Sequence, residues 1–143
     1  MTSVRTAPFA ELDPRTLHDL LRLRVDVFVV EQQCPYPEID GRDVEPGTRH
    51  LWVEVDGQVA ACLRTLVDAD GARHLGRVAT HTGHRGQGYA ARLVTEALRL
   101  LGDGPVTIEA QAYLEGWYER FGFVRGGPDF LEDGIPHLPM TRA

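Results

Sequence analysis

Arg85-Gly86-Gln87-Gly88-Tyr89-Ala90 runs directly into Ala91, Leu93, Val94, Ala97, Leu98 and Leu101, apolar residues spaced for one face of a helix. A glycine-rich turn therefore opens a helix. At such a helix start the first backbone N–H groups lack an intrahelical partner and point outward, the macrodipole adds partial positive charge, and glycine lets a phosphate approach the main chain. Around this turn, from Gly71 to Thr95, the chain carries Arg73, Arg77, Arg85 and Arg92 with His74, His81 and His84 and no carboxylate, although its net charge is -6. The window reads as an anion site, and its expected ligand carries phosphates.

Working outward, Leu75 to Thr80 reads as a strand entering the turn. Gly102-Asp103-Gly104-Pro105 stops the helix, and Val106, Ile108 and Ala110 then alternate with Thr107, Glu109 and Gln111 as a second strand. A strand, helix and strand in that order predict a parallel pair joined by a crossover. Upstream, Leu51, Val53 and Val55 alternate with Trp52 and Glu54, Asp56-Gly57 turns the chain into Val59, Ala61 and Leu63, and a second turn at 68–71 leads to the strand before the glycines. Asp13-Pro14 caps a first helix expected over 14–30, carried by Leu17, Leu20, Leu21, Val25 and Phe28. The segment 34–47, rich in proline, glycine and acid, is expected as an ordered loop or short helical turns. A short helix from Tyr113 to Phe121, the pair Phe123-Val124 and a closing strand from His137 to Thr141 complete the chain. The predicted order is helix, three antiparallel strands, helix, strand, helix, strands.

At 143 residues the chain fits one domain, 1–143. Hydrophobic content of 43% and charged content of 25% are ordinary for a soluble globular protein, and no apolar run reaches the ~20 residues of a bilayer span. The residues after Met1 form no signal-like apolar stretch, so a cytoplasmic location is expected, with Cys34 and Cys62 as reduced thiols and no metal site. The chain contains no lysine and is acidic overall, which speaks against nucleic acid as partner; no membrane association is expected either.

Three phosphate grips compete for the glycine turn. A Walker loop requires Gly-Lys-Ser/Thr at the helix start, and no lysine is present. Gly86-x-Gly88-x-x-Ala91 formally matches a dinucleotide fingerprint, with Glu109 18 residues on. That motif, however, belongs to the first strand of a parallel unit, whereas here three strands precede it and His81-Thr82-Gly83-His84-Arg85 separates strand from glycine. The third grip fits throughout. Arg85-x-x-Gly88-x-Ala90 resembles the [Gln/Arg]-x-x-Gly-x-[Gly/Ala] pyrophosphate loop of the GNAT superfamily of N-acetyltransferases, and 116–123, Gly-Trp-Tyr-Glu-Arg-Phe-Gly-Phe, resembles its helix-to-strand element. More narrowly, the segments 27–32, 34–36, 40–43 and 133–137 resemble the ElaA branch of that superfamily.

The resemblance, which spans nearly the whole chain, implies an α/β (α+β) GNAT fold: a mixed, mostly antiparallel central sheet with a parallel strand pair splayed at the acetyl-CoA site and helices on both faces. It implies transfer of an acetyl group from acetyl-CoA to a small-molecule or peptide amine by direct attack in a ternary complex, in a monomer or homodimer. The alternative is a non-catalytic acyl-CoA-binding sensor or partner module. By the same resemblance Arg85, Gly86, Gln87, Gly88, Tyr89 and Ala90 would hold the pyrophosphate, the main chain of Val78, Ala79 and Thr80 the acyl and pantetheine arm, and Tyr118 would protonate the leaving thiolate. Gln111 stands where many members place an asparagine toward the cofactor. Glu31 and His74 are candidates for the base or amine anchor, with His137 and His50 also open. Arg92 could reach a ribose phosphate. The acidic residues Glu31, Glu38, Asp40, Asp43 and Glu45 would either attract a cationic amine or form a solvated loop.

Overall fold

The computed structural model describes residues 2–143. Its elements are β1 (Val4–Pro8), α1 (Pro14–Val25), β2 (Arg49–Val55), β3 (Gln58–Val67), β4 (Arg73–Thr80), α2 (Tyr89–Leu101), β5 (Val106–Gln111), α3 (Glu115–Glu119), β6 (Val124–Arg125), β7 (Phe130–Glu132) and β8 (Ile135–Arg142). The strands form one sheet in the order β1-β2-β3-β4-β5-β8-β6, with β7 also paired to β8. Every pairing is antiparallel except β4 with β5, the two strands that α2 connects.

Local chemistry explains the turns. Asp56 and Gly57 both take positive φ, 52° and 77°, the two-residue turn whose twist matches antiparallel strands. Asp133 and Gly134 repeat it at 51° and 79°, making a β7–β8 hairpin that the sequence reading did not anticipate. It also did not anticipate β1, a sheet edge with one buried side chain, Ala7, and Pro8 at its end. Asp13 caps α1 by accepting from the Thr16 amide at 2.8 Å, with Pro14 at the first helical position.

Two cores clamp the sheet. On one face Leu93, Val94 and Ala97 of α2 pack with Val106, Ile108 and Ala110 of β5 and with Tyr118 and Phe123. On the other, Leu20 and Leu23 of α1 pack with Trp52, Cys62 and Ala79. Beyond Val25 the first helix widens into a π-helical turn, Asp26–Glu31. Such wide turns appear frequently at functional sites.

The opening in the sheet comes from two local events. β4 and β5 share a single register pair, His74↔Thr107, and then diverge. That pair is pinned by the His74 ring, with Nε2 2.6 Å from the Asp68 carboxylate and Nδ1 2.5 Å from the Thr107 hydroxyl. On its other side β4 carries a bulge. Gly76 faces Arg64 and Ala79 faces Cys62, so three steps on β4 match two on β3, and Arg77 takes φ 54°. A bulge bends its strand and re-aims the residues beyond it. The edge of β4 from Leu75 to Thr80 is thus left without a strand on its β5 side, offering main-chain donors and acceptors to an extended ligand.

Candidate active site

At the glycine turn the groups left without a protein partner are main-chain amides. Gly86 and Gly88 sit at φ 78° and 79°, where a side chain would be strained, and a Cβ at either position would meet nothing within 4 Å. Gly88 is the N-cap of α2 and supplies no side-chain cap, so the first amides of a 13-residue helix are left for an external acceptor. The cationic window around them is mostly engaged elsewhere. Arg73 caps the far end of α2 through the Leu101 and Asp103 carbonyls. Arg77 joins the acidic loop through Glu38 and Asp40. Arg92 donates to Thr2 at 2.9 Å, a contact that places it away from the role of free ribose-phosphate partner.

Arg85 and Glu31, expected in separate roles, meet. The guanidinium donates to both Glu31 carboxylate oxygens at 2.7 and 2.6 Å and, through Nε, to the Thr80 carbonyl at 3.1 Å. The hydrogen bonds and charge of Arg85 hold the Glu31 carboxyl below its ordinary pKa. The wide turn at the end of α1 delivers Glu31 to the mouth of the glycine loop, and a carboxylate so engaged is a weak proton acceptor.

A cleft of about 1220 Å³ runs from this loop along the free edge of β4, and its walls include Val78, Ala79, Thr80, Tyr89, Ala90 and Tyr118. Tyr118, on α3, is 6% exposed, with its ring edge-on to Trp117 and Phe123. No hydrogen bond from a described residue contributes to the environment of its hydroxyl. Burial, and then the nearby Tyr113, push its pKa above the ordinary tyrosine value, so it stays protonated at neutral pH. Gln87 lies exposed on the loop. Gln111 instead joins Gln32 in a reciprocal amide pair, 3.2 and 3.4 Å, that ties β5 to the end of the first helix.

The acidic loop 34–47 is neither a solvated lobe nor a free attractor for cations. Arg24, 2% exposed, binds Glu38 and Asp43 at 2.7 and 2.6 Å. Arg64 binds Asp40 and Asp43 at 2.5 and 3.0 Å. Glu38 and Asp43 are themselves buried, and the Tyr36 hydroxyl closes on Glu38. These charges are spent on holding the loop, and Arg42 similarly takes up Glu45 and Asp68. His50 is buried with Nε2 3.1 Å from the Asp43 carbonyl, and burial lowers its pKa. His74 has both ring nitrogens engaged at the base of the splay, a structural station.

The carboxylates lining the cleft without an arginine partner, among the described residues, are Glu109, Glu132 and Asp133. The sequence reading placed none of the three in the acyl-transfer site. Strand alternation on β5 carried the signal for Glu109, since Ile108 and Ala110 take the core face.

The model of the acetyltransferase (GNAT) domain matches residues 17–143. The chain belongs to the GNAT family. Within it the similarity is to the ElaA-like branch: the chain is 37% identical to Escherichia coli ElaA over 139 residues, 93% of this chain and 91% of that protein. It is 52% identical over 136 residues to a UPF0039 protein of Mycobacterium tuberculosis, 92% of this chain and 87% of that one. Among solved structures, an acyl-CoA N-acyltransferase from Pseudomonas aeruginosa aligns with TM-score 0.93 and 43% identity. E. coli ElaA aligns with TM-score 0.94 and 35% identity, and in both cases 100% of each chain is covered. The mixed sheet with one parallel pair and helices on both faces is thus the GNAT fold, and the family is one of acyltransferases. No helix among the described residues is long and apolar enough to cross a membrane.

Proposed function

We propose that this GNAT protein, acting as one domain in the cytoplasm, transfers an acetyl group from acetyl-CoA to an amine by direct attack in a ternary complex. The observation that carries the reading is that one cleft joins three features: an uncapped, glycine-opened helix N-terminus, an unpaired strand edge and the unpartnered hydroxyl of a buried tyrosine. The residues fit the carrier. The amides at 86–90, joined by Arg85, suit a diphosphate, and the edge of β4 at 78–80 suits an amide-bearing arm that pairs as a strand would.

The chemistry follows from what each group can supply. An alkylammonium with pKa ~10.4 must spend about 4.6 kcal/mol to become a neutral nucleophile at pH ~7, so deprotonation is the first problem. Attack on the thioester carbonyl then develops an oxyanion, which the unpaired main-chain N–H donors of the β4 edge would stabilise. As the C–S bond breaks, Tyr118, kept protonated by burial, donates to the sulfur.

The test is release of free thiol from acetyl-CoA with a panel of amines, compared with Tyr118→Phe and with calorimetric binding of coenzyme A. Amine-dependent release in the wild type that falls in Tyr118→Phe while binding persists supports transfer. Tight binding without turnover for every amine identifies a sensor or partner module instead.

A further inference from the structure

Alternation along the strands sorts the walls of the cleft into two faces. On β5, Val106, Ile108 and Ala110 lie under α2, so Thr107, Glu109 and Gln111 take the α1 face, where Gln111 reaches Gln32. Residues opposite one another in a sheet share a face. Gln111 faces His137 and His137 faces Phe130, while Ile135, two residues from His137, faces Glu132. Glu109, His137 and Glu132 therefore stand together on the α1 face beside the splay, with Tyr118 lining the same cleft from the other face.

Their geometry is specific. The His137 ring stacks on Phe130, centroids 6.0 Å apart at 26°. Its Nδ1 lies 2.7 Å from the Ile135 carbonyl, which can only accept, so Nδ1 carries a proton and Nε2 is the ring nitrogen turned toward Glu132. That Nε2 is 3.8 Å from Oε2 of Glu132. His137 is 12% exposed and Glu132 47%, so the carboxylate meets an incoming ligand with the imidazole behind it. Burial first, and then the charges of Glu109 and Asp133, oppose ionisation of Glu132, while His137 in its protonated form and Arg77 favour it; the balance leaves the carboxyl above its ordinary pKa. Glu31, Asp40, Asp43 and Asp68 in and around the same cleft are all held the other way by arginine or histidine.

We propose that Glu132 is the proton acceptor for the incoming amine, with His137 as its positioning residue. The inference rests on the acetyl-transfer reading and names a catalytic residue for it. R–NH3+ gives one proton to the Glu132 carboxylate, which later returns it to solvent. The freed lone pair forms the C–N bond to the thioester carbon, and the nitrogen of the adduct gives up its second proton to solvent. The C–S bond breaks, the sulfur takes its proton from Tyr118, and solvent restores Tyr118. The sum is R–NH3+ and acetyl-CoA giving the acetamide, free thiol and one H+.

The experiment measures thiol release against pH for wild type, Glu132→Gln and His137→Gln. The probes are n-butylamine, spermidine and a lysine-containing peptide, and coenzyme A affinity is followed by calorimetry. Glu132→Gln is expected to lower kcat/KM about 100-fold or more near pH 7. The deficit should shrink as pH approaches the pKa of the amine, with coenzyme A affinity unchanged. The thermal midpoint should hold or rise, because a group whose folded pKa is raised is carried at neutral pH in the form the fold disfavours. His137→Gln should displace the acidic limb of the pH profile with a smaller loss of rate, a change that a purely structural role would not produce. Wild-type kcat/KM in Glu132→Gln overturns the assignment and leaves acetyl transfer standing. No thiol release by the wild type with any amine, despite coenzyme A binding, overturns both.

Discussion

The Arg85–Glu31 pair makes a prediction whose sign is unusual: neutralising an acidic residue beside the phosphate loop should tighten coenzyme A binding. Arg85 donates to both Glu31 oxygens at 2.7 and 2.6 Å, with the two side chains 42% and 41% exposed. For Arg85 to grip a diphosphate it must leave or share that carboxylate, so the free energy of the pair is subtracted from binding. Pairs this exposed are worth about 0.2–1 kcal/mol, which converts to a gain of about 1.4- to 5-fold in affinity for Glu31→Gln. Titration calorimetry of coenzyme A with wild type, Glu31→Gln, Arg85→Ala and the double variant isolates the coupling. Because Glu31 acts here only through Arg85, the double variant should bind like Arg85→Ala. The gain should also diminish at high salt, where both the pair and the phosphate contact are screened. Weaker binding by Glu31→Gln, or a gain that persists when Arg85 is absent, refutes the competition.

Tyr118→Phe should reduce kcat by about 100-fold with little change in coenzyme A affinity, measured by thiol release and calorimetry, since the ring packs as before and only the proton is lost. Gly88→Ala, at φ 79°, should weaken coenzyme A binding at least several-fold by straining the turn that presents the first amides of α2. Arg24→Leu should cost about 3 kcal/mol in urea unfolding, because the buried carboxylates Glu38 and Asp43 each lose one of two guanidinium partners and keep only Arg77 and Arg64. Burial pushes the Asp43 carboxyl up, but Arg24 and Arg64 outweigh it and hold the pKa below the ordinary value. The network's stabilisation is therefore fully present above the unfolded pKa of ~3.9 and is lost as pH falls through the folded value, so thermal midpoints should be flat from neutral pH to about 5 and drop below about 4.

The fold was legible where the chemistry is local. The glycines at 86 and 88, the apolar stripe of α2 and the alternation of β5 specify a strand, turn, helix and strand without help from distant residues. The parallel β4–β5 pair then follows from chain connectivity. Asp133-Gly134 carried the same hairpin signal as Asp56-Gly57, but Pro128, Pro136 and Pro139 around it obscured the strands. β1 was unreadable for another reason. As an edge it buries only Ala7, so its five residues show little period, and only β2 makes a strand of them.

The site was less legible because charge in a sequence is a count, whereas charge in a fold is a residue after pairing. The window from 71 to 95 read as an anion site in which arginines and histidines surround a glycine-opened helix start. Arg73, Arg77, Arg85 and Arg92 each have a protein partner, which leaves the amides of the glycine-opened helix start as the groups without one. The acidic loop looked like a magnet for amines, yet Arg24 and Arg64 consume it from 14 to 24 residues away. What survives this cancellation is a sparse set of groups with nothing to balance them: the amides of α2, the edge of β4, the Tyr118 hydroxyl, and Glu109 and Glu132 across the splay. Where Glu31, Asp40 and Asp68 of the same cleft are held by arginine, groups left without such a partner keep their interaction free energy for a ligand. On the proposed reading the sign of each leftover matches one end of the ternary complex, the diphosphate at the helix start and the incoming amine at the carboxylates.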